Sequence, residues 1–166
     1  MKKILTTQRL ILREINMEDA SFIFKLMNSK GWLEFIGDRD IKNIEDAKNY
    51  ITNNYLVSYK KNGYGAYLLE RKDDHSILGM CGLFKRPQLE NTDIGFALLP
   101  EYFKKGYAYE AATAVLEFSI NELKIERIKA ITTFENKSSQ KLLEKIGLHF
   151  EQPIIFDKEE LMLFSN

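Results

Sequence analysis

Cysteine is almost missing from this 166-residue chain, and the lone Cys81 excludes an internal disulfide. With only two histidines, no Cys/His spacing resembles a metal site, so no metal is expected. The expected compartment is reducing. Net charge is missing too: Lys+Arg and Asp+Glu are 24 each, with a pI near 6.8. That balance lacks the broad phosphate-neutralising surface of a duplex binder, and no nucleic-acid partner is expected. No apolar run approaches the roughly 20 residues that span a bilayer. Behind Lys2 and Lys3, the charged Arg9, Arg13 and Glu14 follow too soon for a signal peptide. A cytoplasmic protein with no membrane partner is the expectation. Linkers of Pro, Gly or Ser, repeats and low-complexity tracts are also lacking, which predicts one domain over residues 1–166.

What is present is an ordered alternation of strand and helix patterns. Arg9–Ile15 alternates as a first strand, and Asn16 reads as a helix N-cap with Glu18 and Asp19 behind it. Phe22, Ile23, Leu26 and Met27 form one apolar face, with Gly31 as a stop. A second helix reads from about Ile44 to Lys60, broken by Asn62-Gly63. Tyr64–Leu69 and Ile77–Phe84 read as strands joined by a turn, and Asp93–Leu99 as another ended by Pro100. Ala108, Ala111, Ala112, Val115 and Leu116 mark the strongest helix. Strand Arg127–Thr133, helix Asn136–Ile146 and strands His149–Phe156 and Leu161–Phe164 complete the chain. The predicted order is β-α-α-β-β-β-α-β-α-β-β, an α/β (α+β) domain with a central mixed sheet flanked by helices.

Two junctions carry chemistry. At Leu98–Ala111 a strand gives way to a loop with Lys104, Lys105 and Gly106, and then to a long helix. Loop and helix N–H groups without intrahelical partners form an anion site, for which a pyrophosphate is the natural guest. Gly106 lets a ligand approach the backbone, and Ala108 keeps the first helical turn thin. Without a ligand, the same residues make a plain strand-to-helix turn with solvated lysines. In the second junction, Phe134–Leu148, Asn136 caps a helix, Ser139 stands at its third position and Gly147 closes it. Alone, that segment needs no function.

Together the segments resemble the GNAT acetyltransferase superfamily, in particular the branch of the ribosomal-protein-alanine N-acetyltransferases. Thr7–Arg13 with Glu18-Asp19 is similar to the branch's opening strand and cap. Ile77-Leu-Gly-Met-Cys-Gly-Leu83 and Asp93-Ile-Gly-Phe-Ala-Leu-Leu-Pro100 resemble its third and fourth strands. Phe103-Lys-Lys-Gly-Tyr-Ala108 resembles the pyrophosphate loop, and Asn136–Leu148 the last motif. The departures are Phe103 where Gln or Arg is usual, Lys104 where Gly or Arg is usual, and Leu148 for the usual Phe.

The resemblance implies a GNAT fold with a mostly antiparallel sheet, acetyl-CoA as cosubstrate, and direct attack of a primary amine on the thioester. It implies that Phe96, Ala97, Leu98 and Leu99 pair with the pantetheine arm, a backbone N–H near Leu98 or Leu99 holding the thioester oxygen. The N–H groups of Lys104, Lys105, Gly106, Tyr107, Ala108 and Tyr109 would hold the pyrophosphate. Asn136 would bond the pantetheine arm or orient its helix, and Ser139 would protonate or hydrogen-bond the leaving sulfur. Asp93 ranks first as base, with Glu159, Glu160 or a water chain as alternatives. His75, His149 and Cys81 read as structural, and Gly63-Tyr-Gly65 is too short for a phosphate loop.

The acceptor is expected over the first two helices and the loop Gly31–Asp40, whose Glu34, Asp38 and Asp40 would draw in an ammonium. A plain solvated connection is the preferred reading of that loop. A peptide N-terminus and a small-molecule amine both fit as partners, and monomer and homodimer both stay open because the final strand can pair with a second copy. Two other classes also stay open: a non-catalytic acyl-CoA-binding sensor, and a nucleotide-binding regulator disfavoured by the lack of a Walker-type loop.

Overall fold

In the computed structural model, which describes residues 2–166, eight strands form one sheet in the order β1-β2-β3-β4-β5-β6-β8-β7. They are β1 (Lys3–Thr6), β2 (Leu10–Glu14), β3 (Ala66–Arg71), β4 (Ile77–Phe84), β5 (Asp93–Leu98), β6 (Lys129–Thr132), β7 (His149–Phe156) and β8 (Glu159–Ser165). Every neighbouring pair is antiparallel except β5–β6, which is parallel. The helices are α1 (Ala20–Met27), α2 (Lys30–Phe35), α3 (Ile44–Tyr50), α4 (Val57–Asn62), α5 (Tyr107–Asn121) and α6 (Lys137–Lys145).

Period-2 alternation distributes side chains to two cores, one on each face of the sheet. Tyr67 and Leu69 of β3 join Ala111, Val115 and Leu143 from α5 and α6, whereas Ala66 and Leu68 join Ile23, Leu26 and Ala47 from α1 and α3. The alternation of β4 is interrupted by a bulge: Leu69 pairs with Gly79, yet Glu70 pairs with Ile77. The extra residue turns Leu78 to the α5 face with Cys81 and Leu83, while Met80 stays on the α1 face. Only glycine suits position 79, where a Cβ would stand 2.1 Å from the Ala97 carbonyl oxygen. Bulges of this kind re-aim side chains beside functional sites.

Several sequence expectations are refined here. Strand β1 was not anticipated; its four residues are held by pairing with β2, Leu5 opposite Leu12 and Thr6 opposite Ile11. Gly31 does not end the first helix: α1 stops at Met27, and Gly31 lies inside the short helix α2 that begins at Lys30. The expected helix over 44–60 is three pieces, with a π-helical turn at Ile51–Leu56 between α3 and α4. Asn16 forms a capping box with Asp19, but over a 3₁₀ turn (Met17–Asp19) that leads into α1. Buried Arg13 grips both Asp19 oxygens at 2.9 and 2.8 Å, fixing α1 against β2. No helix among the described residues is long and apolar enough to cross a membrane.

Candidate active site

The sheet opens at its one parallel junction. Strands β5 and β6 meet only at Asp93 and Lys129, with the Lys129 N–H donating to the Thr92 carbonyl at 2.9 Å, and then part. Beyond that vertex β5 has one free edge. The Leu99 N–H donates to Leu78 O at 2.9 Å, on the β4 side. Successive N–H groups of an extended strand point to opposite edges, so those of Leu98 and Phe96 face the fork. An added extended chain can pair there.

At the open end of the fork, a 3₁₀ turn (Pro100–Tyr102) leads to Gly106, the N-cap of α5. Both Lys104 (φ 58°) and Gly106 (φ 81°) are left-handed. Among the described residues, the N–H groups from Lys104 to Tyr109 meet no protein acceptor. They form a concave set of donors at the positive end of a 15-residue helix, which suits a multiply charged anion. Because Lys104 carries a Cβ in a region that costs an L-residue about 1–2 kcal/mol, Lys104→Gly is expected to leave urea-denaturation stability unchanged or higher. The gain is trimmed by glycine's extra unfolded-state entropy of roughly 0.5–1 kcal/mol.

The donor loop is braced from 101 residues away in sequence. The Glu110 carboxylate accepts from Thr7 Oγ1 (2.6 Å), from the Arg9 N–H (2.7 Å) and from Arg9 Nε (2.6 Å). Arg9 also donates from Nη1 to Lys105 O at 3.0 Å, and its guanidinium lies 4.4 Å from the Tyr107 ring centre. Burial works against ionising Glu110, but the bonds from Thr7 and Arg9 outweigh it and hold its carboxyl below the ordinary range. Nothing local in the sequence announces this brace.

Fork and donor loop share one cleft of about 900 Å³. Asp93, Phe96, Ala97, Leu98, Lys104 and Gly106 line it, together with Tyr107, Ala108, Tyr109, Asn136 and Ser139. Two expected residues stand outside its wall. Leu99 spends its N–H on Leu78 and its carbonyl on the Tyr102 N–H, and Lys105 turns its ammonium to the Tyr102 ring, 5.7 Å from its centre. Asn136 caps α6 by accepting from the Ser139 N–H at 3.1 Å. The half-buried Ser139 hydroxyl has no hydrogen-bond partner among the described residues, so its proton is available to the cleft. Glu159 lines the cleft and Glu160 does not.

At the fork's vertex Asp93 is 1% exposed. Both its oxygens accept from Arg86 Nε, at 2.9 and 3.1 Å. Arg86 itself lies between the rings of Phe84 and Phe156, 5.2 and 5.6 Å from their centres. Burial pushes the Asp93 carboxyl up to about 6 against the opposing pull of Arg86, a value suited to accepting a proton near neutrality. His75 is remote from the cleft and pairs with Glu70, while Cys81 is fully buried with its thiol pushed up by that burial. Trp32 belongs to the segment Gly31–Asp40 over which the acceptor was expected, but Arg86, Tyr50 and Tyr55 were not expected in the site from the sequence. They follow no shared period, and only folding brings them together.

Comparison with known proteins agrees with this geometry. Residues 9–149 match the acetyltransferase (GNAT) domain family. The chain is 30% identical over 152 residues to the uncharacterized N-acetyltransferase YoaA of Bacillus subtilis, covering 91% of this chain and 85% of that protein. An acetyltransferase from Agrobacterium tumefaciens shares the fold with a TM-score of 0.84 at 20% identity, over 98% of this chain and 92% of that one. So does RimL, a ribosomal L7/L12 alpha-N-protein acetyltransferase solved in complex with coenzyme A. Its TM-score is 0.80 at 15% identity, over 99% of this chain and 97% of that one. The family match runs from the brace at Arg9, through the forked strands and the donor loop, past the last helix to the start of β7; this chain belongs to the GNAT acetyltransferase family, enzymes that move an acetyl group to an amine.

Proposed function

We propose that the cleft takes acetyl-CoA and that the whole chain, acting as one domain, transfers the acetyl group to a primary amine by direct attack on the thioester. The observation that carries this reading is the continuity of the free β5 edge with the unpartnered N–H groups of Lys104 to Tyr109. A ligand with an amide-bearing arm joined to a pyrophosphate matches that sequence of donors. The loop N–H groups hold the pyrophosphate, with Lys104 adding charge. Phe96 and Leu98 pair with the arm, and the Leu98 N–H polarises the thioester oxygen. Asp93 takes a proton from the acceptor ammonium, with Glu159 or water as the alternative base. The amine nitrogen then bonds to the carbonyl carbon and the C–S bond breaks; Ser139 gives its hydroxyl proton to the departing sulfur and is reprotonated by the second proton that the nitrogen sheds as the amide forms. Acceptors in keeping with this chemistry are a peptide N-terminus and a small-molecule amine.

Calorimetric titration with acetyl-CoA tests the reading. Wild type binds, and Gly106→Trp does not, because the new side chain meets Arg9 Nη2 (3.3 Å from a Cβ alone) and fills the donor loop. Losing two hydrogen bonds to charged phosphate, at about 1.5–3 kcal/mol each, weakens binding by roughly 100-fold or more. A folded wild type that does not bind acetyl-CoA overturns the proposal. Binding without turnover of any amine would instead support a cofactor-sensing module.

A further inference from the structure

The wall of the cleft opposite α6 is built from α2, the loop after it and the π-helical turn, and its polarity is unusual for a pocket that takes an amine. Its polar side-chain groups are the Arg39 guanidinium, two tyrosine hydroxyls that can donate or accept, and a buried indole N–H; none is an anion. Trp32 is buried, and its indole N–H, which can only donate, has no partner in the protein. The Tyr55 hydroxyl is directed at the Met80 sulfur 3.8 Å away, a weak acceptor. Arg39 lines the same wall and forms no ion pair or hydrogen bond among the described residues. Its acidic neighbours in sequence are turned elsewhere: Asp38 accepts from the Asp40 N–H at 2.7 Å, and Asp40 pairs with Lys42 at 2.8 Å. Glu34, Asp38 and Asp40, the carboxylates that would draw in a cation, are all absent from the cleft wall.

The body of this wall is apolar. The π-helical turn brings Tyr50 and Tyr55 edge to face, ring centres 5.5 Å apart, although five residues separated in an α-helix would diverge. The acidic groups that line the cleft come from other elements: Asp93 under Arg86, Asp157 and Glu159 at the β7–β8 turn, and Glu135 before α6. An acceptor in this cleft therefore meets carboxylates, aromatic rings and an unpaired guanidinium.

We infer that the acceptor is an amine that also carries a carboxylate, an amino acid or short peptide with an apolar or aromatic side chain, and that Arg39 is the residue that selects it by binding the carboxylate. This rests on the acetyl-transfer reading above and names the substrate class of that same site. A planar guanidinium with several N–H donors matches a carboxylate bidentately, which an ammonium would not. Polyamines bring a second cation against Arg39 and decarboxylated amines forgo its contact, so both bind more weakly than the free acid.

The chain's one tryptophan is Trp32, so its fluorescence reports occupancy of this wall without any requirement for turnover. In the presence of coenzyme A, L-phenylalanine and L-alanyl-L-phenylalanine are titrated against their C-terminal amides and against spermidine. At least one free acid is expected to bind wild type about ten-fold or more tighter than its amide, the span of a charge-assisted bidentate contact. In Arg39→Gln that preference falls to about two-fold or less, and Arg39→Lys restores part of it. Arg39 is exposed and unpartnered, so its replacement leaves the thermal unfolding midpoint where it was. Equal binding of acid and amide, tighter binding of spermidine, no binding of any of these amines, or an Arg39→Gln effect equal on acid and amide overturns the inference. A chain that binds acetyl-CoA and acetylates the amides or spermidine preferentially refutes this substrate class alone; failure to bind acetyl-CoA refutes the acetyl-transfer reading itself.

Discussion

Replacing Ser139 by alanine is expected to lower kcat by about 10²–10⁴-fold, the usual contribution of a positioned proton donor, while leaving acetyl-CoA affinity nearly unchanged. The reason is local. The Ser139 N–H is held by the Asn136 cap, and Gln140 Nε2 donates to the carbonyls of Thr133 and Phe134 at 3.0 and 2.9 Å. The first turn of α6 is therefore rigid without the hydroxyl, whose removal breaks no protein contact. Stability should move by less than about 0.5 kcal/mol, as for a surface change away from special features. Asn136→Ala behaves differently, since it removes the cap and costs about 1 kcal/mol of stability. Steady-state kinetics beside calorimetry separates the two. A Ser139→Ala enzyme with full kcat would mean that the sulfur leaves without help from this residue.

The second large effect is expected at Asp93. Burial places its carboxyl at about 6, so the base is disabled by protonation below that pH. The pH profile of kcat/KM should rise through about 6 and then level off. Asp93→Asn should remove that limb and lower the plateau by about 10²–10⁴-fold. The cations around the group give a directional check. Arg86 alone contacts the carboxylate, while the side chain of neighbouring Lys129 is turned to Glu151. Arg86→Leu removes the opposing cation, and the acid limb should move to higher pH. The linkage to stability has a definite sign. A carboxyl raised above its ordinary value contributes stability that is present below about 3.9. That contribution is lost as pH rises through the folded value of about 6. Urea titrations of wild type and Asp93→Asn across this window would show the slope in one and not the other. A profile without the limb in wild type would move the role to Glu159 or water.

Local chemistry was legible in the sequence alone. Asn136 and Gly147 bracket α6 because cap residues satisfy helix-end groups regardless of the rest of the chain. The strands from Ala66 to Leu98 announce themselves as short apolar runs bounded by turn residues, and the glycine and lysines before α5 by the needs of a helix N-terminus. Those features were enough to indicate the family and the residues from Phe96 to Ser139 that meet in the cleft. What depends on contacts far apart in sequence was not legible. Strand β1 is held by its pairing with β2, and the π-helical turn sets Tyr55 against Tyr50. The same holds for the Arg9–Glu110 brace, the Arg86 grip on Asp93 and the turning of Arg39 toward an aromatic wall. Caps and alternation are set by neighbours within a few residues; the sign and strength of the site's charges are set by burial and by partners that only tertiary folding brings into contact.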